Sequence, residues 1–546
     1  MKTVSAPKSR FIFWSFLACG MVAAGTVQAA DDEAARCMQL RALDNLTITS
    51  AQLVEASGET PAYCHVVGSI GGSVRYHMQL PFPSNWNGRF LNWGDGGKDG
   101  DLDFADARLA EGYAVANSNM GHDSGAEPGA SFGFNDRQAE IDFGYRAVHL
   151  TVTAAKTLIR AYYGEPPRFS YHEGCSTGGR EGLMEAQRYP QDFDGIVAGA
   201  PVAYYQEVSG ILIWISQKLF ADDFAGNLAF DADGDGIQES LGKLNLLASR
   251  VMDICDGVDG VHDGVIDDPR KCDFRPERDL KGQMCPRDEN ADKCFTKRQL
   301  ANIEAIYEGP KDKRGRVIYK GMPLSSELAW LFVPHAGNGM QPFFPARDHI
   351  NYLFYEEDPG VAPADMGDIK QKLRKDGPFP EWAWWEFDVA DLANGSADFM
   401  RRITNATDPD MRRFLIDHEG KLLLYHGWAD ANAAPQPILD YYEQVVARTF
   451  GGDLPAATEH VRLFMVPGMN HCSGGPGPDE WDRLAPMIDW VEKGQAPERI
   501  VARHRTDGKV DNERPICVYP GAAHYTGPKG GADEPRNWVA GNFTCR

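Results

Sequence analysis

Apolar and polar positions along the chain follow two periodicities that alternate. Short apolar runs of strand length occupy residues 89–93, 113–116 and 169–172, while residues 142–163 and 179–188 carry the three-and-four spacing of helices. Strands alternating with helices predict a mostly parallel sheet covered on both faces. Between about residues 202 and 410 this alternation gives way to segments rich in Asp, Gly, Pro, Trp and Phe that hold four of the cysteines. The pattern resumes at Lys421-Leu422-Leu423-Leu424-Tyr425-His426-Gly427 and at Val461-Arg462-Leu463-Phe464-Met465-Val466, which adds two core strands. A chain of 546 residues exceeds one compact core. The expected division is therefore a mixed α/β domain from residues 30–201 and 411–546, interrupted by an inserted lid at 202–410.

The first 29 residues stand apart. Lys2, Lys8 and Arg10 precede an apolar run of about 14 residues, then Val27-Gln28-Ala29, the arrangement of a secretory signal peptide. The run is shorter than the roughly 20 residues a spanning helix needs, and no later segment is long and apolar enough, so no transmembrane segment is expected. Cys19 inside the run leaves a lipoprotein as the lesser alternative to a secreted or periplasmic protein. Cleavage after Ala29 removes three positive charges and no negative ones, taking the formal charge from -23 to -26. Such acidity argues against nucleic acid and anionic membranes as partners. It identifies no substrate.

Eleven cysteines less Cys19 leave ten, an even number in an exporting context, which favours disulfides over a metal cluster. Close sequence neighbours suggest Cys37 with Cys64, Cys255 with Cys272, Cys285 with Cys294, and Cys517 with Cys545. Cys175 and Cys472 are left over, almost 300 residues apart. Counting alone does not decide whether they pair with each other, pair elsewhere or remain buried thiols.

Gly174-Cys175-Ser176-Thr177-Gly178 lies between a short strand and a helix-like stretch, the context of the G-x-S-x-G nucleophile elbow of α/β-hydrolases. Small residues two places either side of the serine let strand and helix backbones approach. A serine hydroxyl needs a histidine base and an acid to orient it, in the chain order Ser, acid, His. Asp430 and His471 follow the last two predicted strands, at the carboxyl ends where a parallel sheet collects functional groups. Cys175 adjoins Ser176 as Cys472 adjoins His471, and a disulfide between them would hold the two loops together.

These residues resemble the tannase and feruloyl esterase family. The resemblance rests on Gly174 to Gly182, on Phe193-Asp194-Gly195-Ile196-Val197-Ala198-Gly199-Ala200-Pro201, on His426-Gly427-Trp428-Ala429-Asp430, and on Pro467-Gly468-Met469-Asn470-His471-Cys472. It implies an α/β-hydrolase fold with a large inserted lid domain, a triad of Ser176, Asp430 and His471, and a bridge from Cys175 to Cys472. The substrates implied are small-molecule aromatic esters: feruloyl, chlorogenic or galloyl esters, with mono(2-hydroxyethyl) terephthalate hydrolysis as an alternative. An acyltransferase, or a catalytically silent protein on the same fold, is the competing expectation.

Two further sites follow. The oxyanion hole needs two backbone N–H groups. Thr177, the residue after the nucleophile, supplies one by the elbow rule, and the loop Gly94-Asp95-Gly96-Gly97-Lys98-Asp99-Gly100 supplies the other. Family resemblance points there to Gly96 or Gly97. It also implies a structural calcium ion in the lid, held by Asp256, Asp259 and Asp263 with the carbonyls of Val261 and Val265; calcium favours such oxygen-only sets. No organic cofactor is expected. A second acidic run, Asp231-Ala232-Asp233-Gly234-Asp235-Gly236, opens like an EF-hand but has Gly242 where a bidentate Glu belongs, and reads as a turn. Aromatic residues in the inserted region, Trp330, Phe332, Phe343, Phe344, Tyr352, Phe354, Trp382, Trp384 and Trp385, are expected mostly as core, with two or three reaching substrate.

Overall fold

A computed structural model describes residues 32–338, 340, 343–360 and 384–546. The signal-peptide segment, Cys19 and Trp382 lie outside the described residues.

Nine strands form the central sheet: β1 Thr47–Val54, β2 Tyr63–Ile70, β3 Val74–Pro81, β4 Arg89–Trp93, β5 Ala114–Ser118, β6 Phe169–Cys175, β7 Gly195–Gly199, β8 Lys421–Gly427 and β9 Val461–Val466. Their order is β1-β2-β3-β5-β4-β6-β7-β8-β9. The first three pair antiparallel, β3 pairs antiparallel with β5, and every pairing from β5 through β9 is parallel. All six residues of β9 are buried and so are all five of β7, as expected for strands covered on both faces.

Helices supply the cover. Ala147–Tyr163 buries Val148, Val152, Ala155, Leu158, Ile159 and Tyr162, a stripe at three-and-four spacing, and stops at Gly164, whose φ of 84° an L side chain would resist. The turn before it, Asp142–Arg146, is wider than an α-helical one. There the carbonyls of Phe143 and Gly144 accept from the fully buried guanidinium of Arg180, at 3.1 and 2.6 Å. The helix predicted over 142–163 therefore starts with a bulge that serves a distant arginine.

Adjacent parallel strands β7 and β8 are in register from Gly195 opposite Lys421 to Gly199 opposite Tyr425, yet residues 200–420 lie between them in sequence. The fold is thus an α/β-hydrolase sheet with a large insertion. At its start the helix Tyr205–Phe224 leaves β7 and loses helical geometry at Ala221.

After β9 the helix Ala485–Lys493 returns to the sheet, and the hairpin β10 Arg499–Thr506 and β11 Lys509–Cys517 follows. Five disulfides form, pairing Cys37–Cys64, Cys175–Cys472, Cys255–Cys272, Cys285–Cys294 and Cys517–Cys545. Among the described residues no helix is long and apolar enough to cross a membrane.

One polar tie fastens that returning helix. Glu492 accepts from Arg89 Nε at 2.6 Å and Nη2 at 2.8 Å, and from the Tyr171 hydroxyl at 2.8 Å. It joins the helix to β4 and β6 across a largely buried seam. Glu492→Ala should destabilise the protein by about 1 to 3 kcal/mol, because it strands a partly buried guanidinium and a hydroxyl. Denaturant unfolding of the two proteins checks it.

Candidate active site

Between β6 and the helix Thr177–Arg188 the chain turns at Ser176, with φ 62° and ψ -119°. Few non-glycine residues adopt a positive φ, and here the surroundings enforce it. A Cβ on Gly174 would lie 2.6 Å from the Gly178 backbone, one on Gly178 would lie 2.6 Å from the Asp95 carbonyl, and one on Gly179 would lie 2.4 Å from the Gly199 carbonyl. Strand, helix and the loop after β4 meet at distances only glycine allows.

The loops after β8 and β9 bring the other two residues to the turn. His471 Nε2 lies 2.8 Å from Ser176 Oγ, and its Nδ1 lies 2.7 Å from Asp430 Oδ2. Asp430 is fully buried, and its second oxygen accepts from the backbone N–H of Asn432 and Ala433 at 2.8 and 2.9 Å. A second buried imidazole sits beside it: His426 Nε2 is 3.1 Å from Asp430 Oδ2 and 2.7 Å from the Ala433 carbonyl. Burial opposes the Asp430 charge, but His471 and His426 outweigh it, and the carboxyl lies well below its ordinary range. For His471 burial likewise opposes the charge, and the adjoining Asp430 carboxylate outweighs it, raising the imidazole above its ordinary value.

The bridge from Cys175 to Cys472 holds their Cα atoms 6.0 Å apart, directly beside the serine and the histidine. Strands β6 and β9 are not neighbours, so this bond ties two loops that the sheet alone leaves separate.

Facing the turn, the loop of residues 94–100 is fastened to the elbow. Gly178 N–H donates to the Asp95 carbonyl at 2.7 Å, and the Gly97 carbonyl accepts from Thr177 Oγ1 at 2.7 Å and the Tyr205 hydroxyl at 2.9 Å. The backbone N–H groups of Thr177 and Gly97 have no acceptor among the described residues. The N–H of Gly96 makes no hydrogen bond among the described residues either, but it lies toward the Asp99 carboxylate and favours that group's charged form. Beneath the loop, carboxylate oxygens of Asp95, Asp99 and Glu181 lie within 4.8 Å of one another. Burial raises all three, Glu181 to about 7, so the cluster does not carry three full charges at neutral pH.

In the inserted acidic loop, Asp256 Oδ1 accepts from the N–H groups of Asp263 and Gly264, and Asp259 and Asp263 each accept one backbone N–H. Fully buried Arg514, from β11, reaches Asp263 at 2.5 Å, Asp259 at 3.3 Å and Asp267 at 3.6 Å. One guanidinium thus faces three carboxylates with Asp256 close by, and Asp267 Oδ1 is buried without a hydrogen-bond partner. Asp256, Asp259 and Asp263, with the carbonyls of Val261 and Val265, are the oxygen-only set that would hold a hard divalent cation, but here their carboxylates are turned to backbone N–H groups and Arg514 and are not among the described acidic groups whose oxygens converge within 4.8 Å.

The aromatic residues of the insertion are chiefly core: Trp330, Phe332, Tyr352, Phe354 and Trp384 are buried, and Phe343 is half-buried. The side chains of Phe344 and Trp385 lie outside the described residues.

Several residues at the site were not singled out from the sequence. His426 had a signal, a polar residue within an apolar strand four places before Asp430. Lys98 and Asp99 stood in the glycine loop without a partner to mark them. Tyr205, Glu181, His349 and Arg514 carried none, because their partners are far away in sequence.

A tight elbow at the carboxyl end of β6, with a histidine and a buried aspartate delivered from the ends of β9 and β8, defines an α/β-hydrolase. The family model for tannase and feruloyl esterase matches residues 58–539. A mono(2-hydroxyethyl) terephthalate hydrolase of Piscinibacter sakaiensis is 32% identical over 536 residues, covering 88% of this chain and 85% of that protein. A probable feruloyl esterase B-1 of Aspergillus flavus is 30% identical over 492 residues, covering 86% and 85%. The crystal structure of an esterase from Aspergillus oryzae superposes with a TM-score of 0.75 at 26% identity, over 94% of this chain and 100% of that one. The chain belongs to the tannase and feruloyl esterase family and is a carboxylic ester hydrolase.

A histidine acting as base must be neutral. Because the Asp430 carboxylate raises the His471 pKa, kcat/KM for ester hydrolysis should rise with pH through a midpoint above the ordinary histidine value of about 6.5. Asp430→Asn should lower both the midpoint and the rate. A pH–rate profile of the two proteins checks the direction.

Proposed function

We propose that the protein hydrolyses esters of aromatic carboxylic acids through an acyl-enzyme on Ser176. The observation carrying this reading is the unbroken relay Ser176 Oγ, His471 Nε2, His471 Nδ1 and Asp430 Oδ2, at 2.8 and 2.7 Å.

Ser176 Oγ attacks the ester carbonyl carbon while His471 Nε2 takes the hydroxyl proton. Asp430 holds Nδ1–H and stabilises the imidazolium without taking its proton. The carbonyl oxygen becomes an oxyanion stabilised by the N–H groups of Thr177 and Gly97; the latter is favoured over Gly96, whose N–H bears on Asp99. His471 then protonates the departing alcohol, leaving the acyl group on Ser176. Water adds by the same route, its proton going to His471, and the acid leaves as Ser176 regains its proton.

Feruloyl, chlorogenic and galloyl esters form the first substrate class, supported by the names of the family and of its feruloyl esterase relatives. Mono(2-hydroxyethyl) terephthalate is the alternative, supported by the Piscinibacter relative. Both are small-molecule esters of a planar aromatic acid. Rates on methyl ferulate, chlorogenate, methyl gallate and mono(2-hydroxyethyl) terephthalate decide between them. The insertion, about residues 202–410, acts as a lid, and the N-terminal signal sequence sends the protein out of the cytoplasm, to which ten cysteines in five disulfides are suited.

Ser176→Ala should reduce turnover of an aromatic ester by about 10⁴-fold or more while leaving the Tm close to wild type. Full activity in that variant would remove the reading.

The calcium ion is a structural element of the same proposal, clamping the Asp256–Asp263 turn near the Cys255–Cys272 bridge. Removing it with EGTA should lower the Tm by a few degrees, since saturation at a hundred times Kd is worth about 2.7 kcal/mol. Readdition of calcium should restore the Tm. An unchanged melting curve in a protein free of bound calcium would exclude the site.

A further inference from the structure

The structure assigns to Lys98 the part of positioning residue for the oxyanion loop, acting through the Tyr205 hydroxyl on the Gly97 carbonyl; this rests on the acyl-transfer reading above. Lys98 is 6% exposed, although lysine is rarely buried without a partner. Its Nζ lies 2.9 Å from the Tyr205 hydroxyl oxygen, 2.8 Å from His349 Nδ1 and 4.0 Å from the centroid of the Tyr205 ring.

Each hydroxyl carries one proton, and that fixes the direction of each link. The Gly97 carbonyl accepts from both Thr177 Oγ1 and the Tyr205 hydroxyl, so each hydroxyl has spent its single proton there. The Tyr205 oxygen then needs a donor of its own, and Thr177 Oγ1, 3.4 Å away, has none left. Lys98 Nζ is that donor. Its second contact, His349 Nδ1, accepts when the imidazole proton is on Nε2.

The circuit is short: Lys98 follows Gly97 directly, reaches around to Tyr205, and Tyr205 returns to the carbonyl of Gly97. Gly97 has a φ of 70°, which glycine adopts without strain, and there is open space where a Cβ would sit. Two hydroxyls gripping its carbonyl fix the Gly97–Lys98 peptide plane, and so anchor against the elbow the Cα from which the N–H of the preceding peptide is carried. Tyr205 opens the first helix of the insertion and His349 lies in the helix Phe344–Tyr352, so one ammonium also links the hole to the insertion.

Burial holds the Lys98 pKa well below the usual lysine range; Asp348 and Asp99 oppose that shift and Arg180 adds to it. Burial, Lys98 and Arg180 likewise keep His349 neutral. An amine in this place donates in either protonation state, so the grip on Tyr205 persists as pH rises.

The test compares Lys98→Met, Tyr205→Phe and the double variant with wild type, using methyl ferulate and counting active sites by fluorophosphonate labelling of Ser176. Lys98→Met and Tyr205→Phe should each lower kcat per labelled site by about 10- to 100-fold, somewhat less than outright loss of a hole donor, with KM within about threefold. Affinity for a trifluoromethyl ketone analogue, whose oxyanion occupies the hole, should fall by the same factor as kcat/KM. The double variant should lose no more than the worse single one, since both cut the same circuit. Unchanged kcat per labelled site, additive losses, or a fall in kcat/KM with undiminished analogue affinity would each overturn the assignment. If Lys98→Met does not accumulate, Tyr205→Phe removes only a hydroxyl and carries the same expectation. A wild-type protein that resists labelling at Ser176 overturns the acyl-transfer reading itself.

Discussion

Everything at this site depends on how closely three backbones approach at the end of β6. Strand, helix and the loop after β4 come together where glycine alone fits, at positions 174, 178 and 179. That crowding throws Ser176 into a positive-φ turn and presents its hydroxyl away from the sheet. It also lays the glycine loop against the start of the helix, where Gly178 N–H meets the Asp95 carbonyl. The turn at Ser176 and the glycine loop proposed as the oxyanion hole are therefore products of one packing constraint.

Electrostatics complete what packing begins. A fully buried carboxylate is costly unless its lone pairs are filled, and Asp430 fills them with two backbone N–H groups and two imidazoles. It stays ionised, and the attraction it exerts raises the basicity of His471. The loop beneath the hole solves the opposite problem, since three crowded carboxyls there are raised by burial. Like charges on one side of the serine and opposite charges on the other give the two halves of the site different protonation behaviour.

Long-range ties hold the loops in place. The Cys175–Cys472 bridge spans 297 residues and couples the serine and histidine loops across strands that do not touch. Arg180 gathers carbonyls from the bulged turn at Phe143 and Gly144, while Lys98 and Tyr205 connect the glycine loop of residues 94–100 to the insertion. The insertion is thus bonded to the catalytic loops as well as lying beyond them.

By itself the sequence determined the strands at 89–93, 421–427 and 461–466, the strand-turn-helix context of the elbow and the order Ser, Asp, His, and it suggested four of the cysteine pairs. These are written in local periodicity, in glycine spacing and in pairings between near neighbours, while the bridge from Cys175 to Cys472 was implied by the family resemblance. It placed the strand at 169–172 too short and the helix after it two residues late, because the elbow that divides them takes its conformation from packing. Only the tertiary structure decided that the Gly97 N–H has no acceptor among the described residues, that His426 shares Asp430, that Arg514 enters the acidic loop, and that Lys98 is buried against Tyr205 and His349. Arg514 and Lys98 depend on partners more than a hundred residues away and the Gly97 N–H on the rotation of a single peptide, neither of which leaves a mark in the local pattern of apolar and polar residues; His426 lies four places before Asp430, but a polar residue in an apolar strand does not say what it touches.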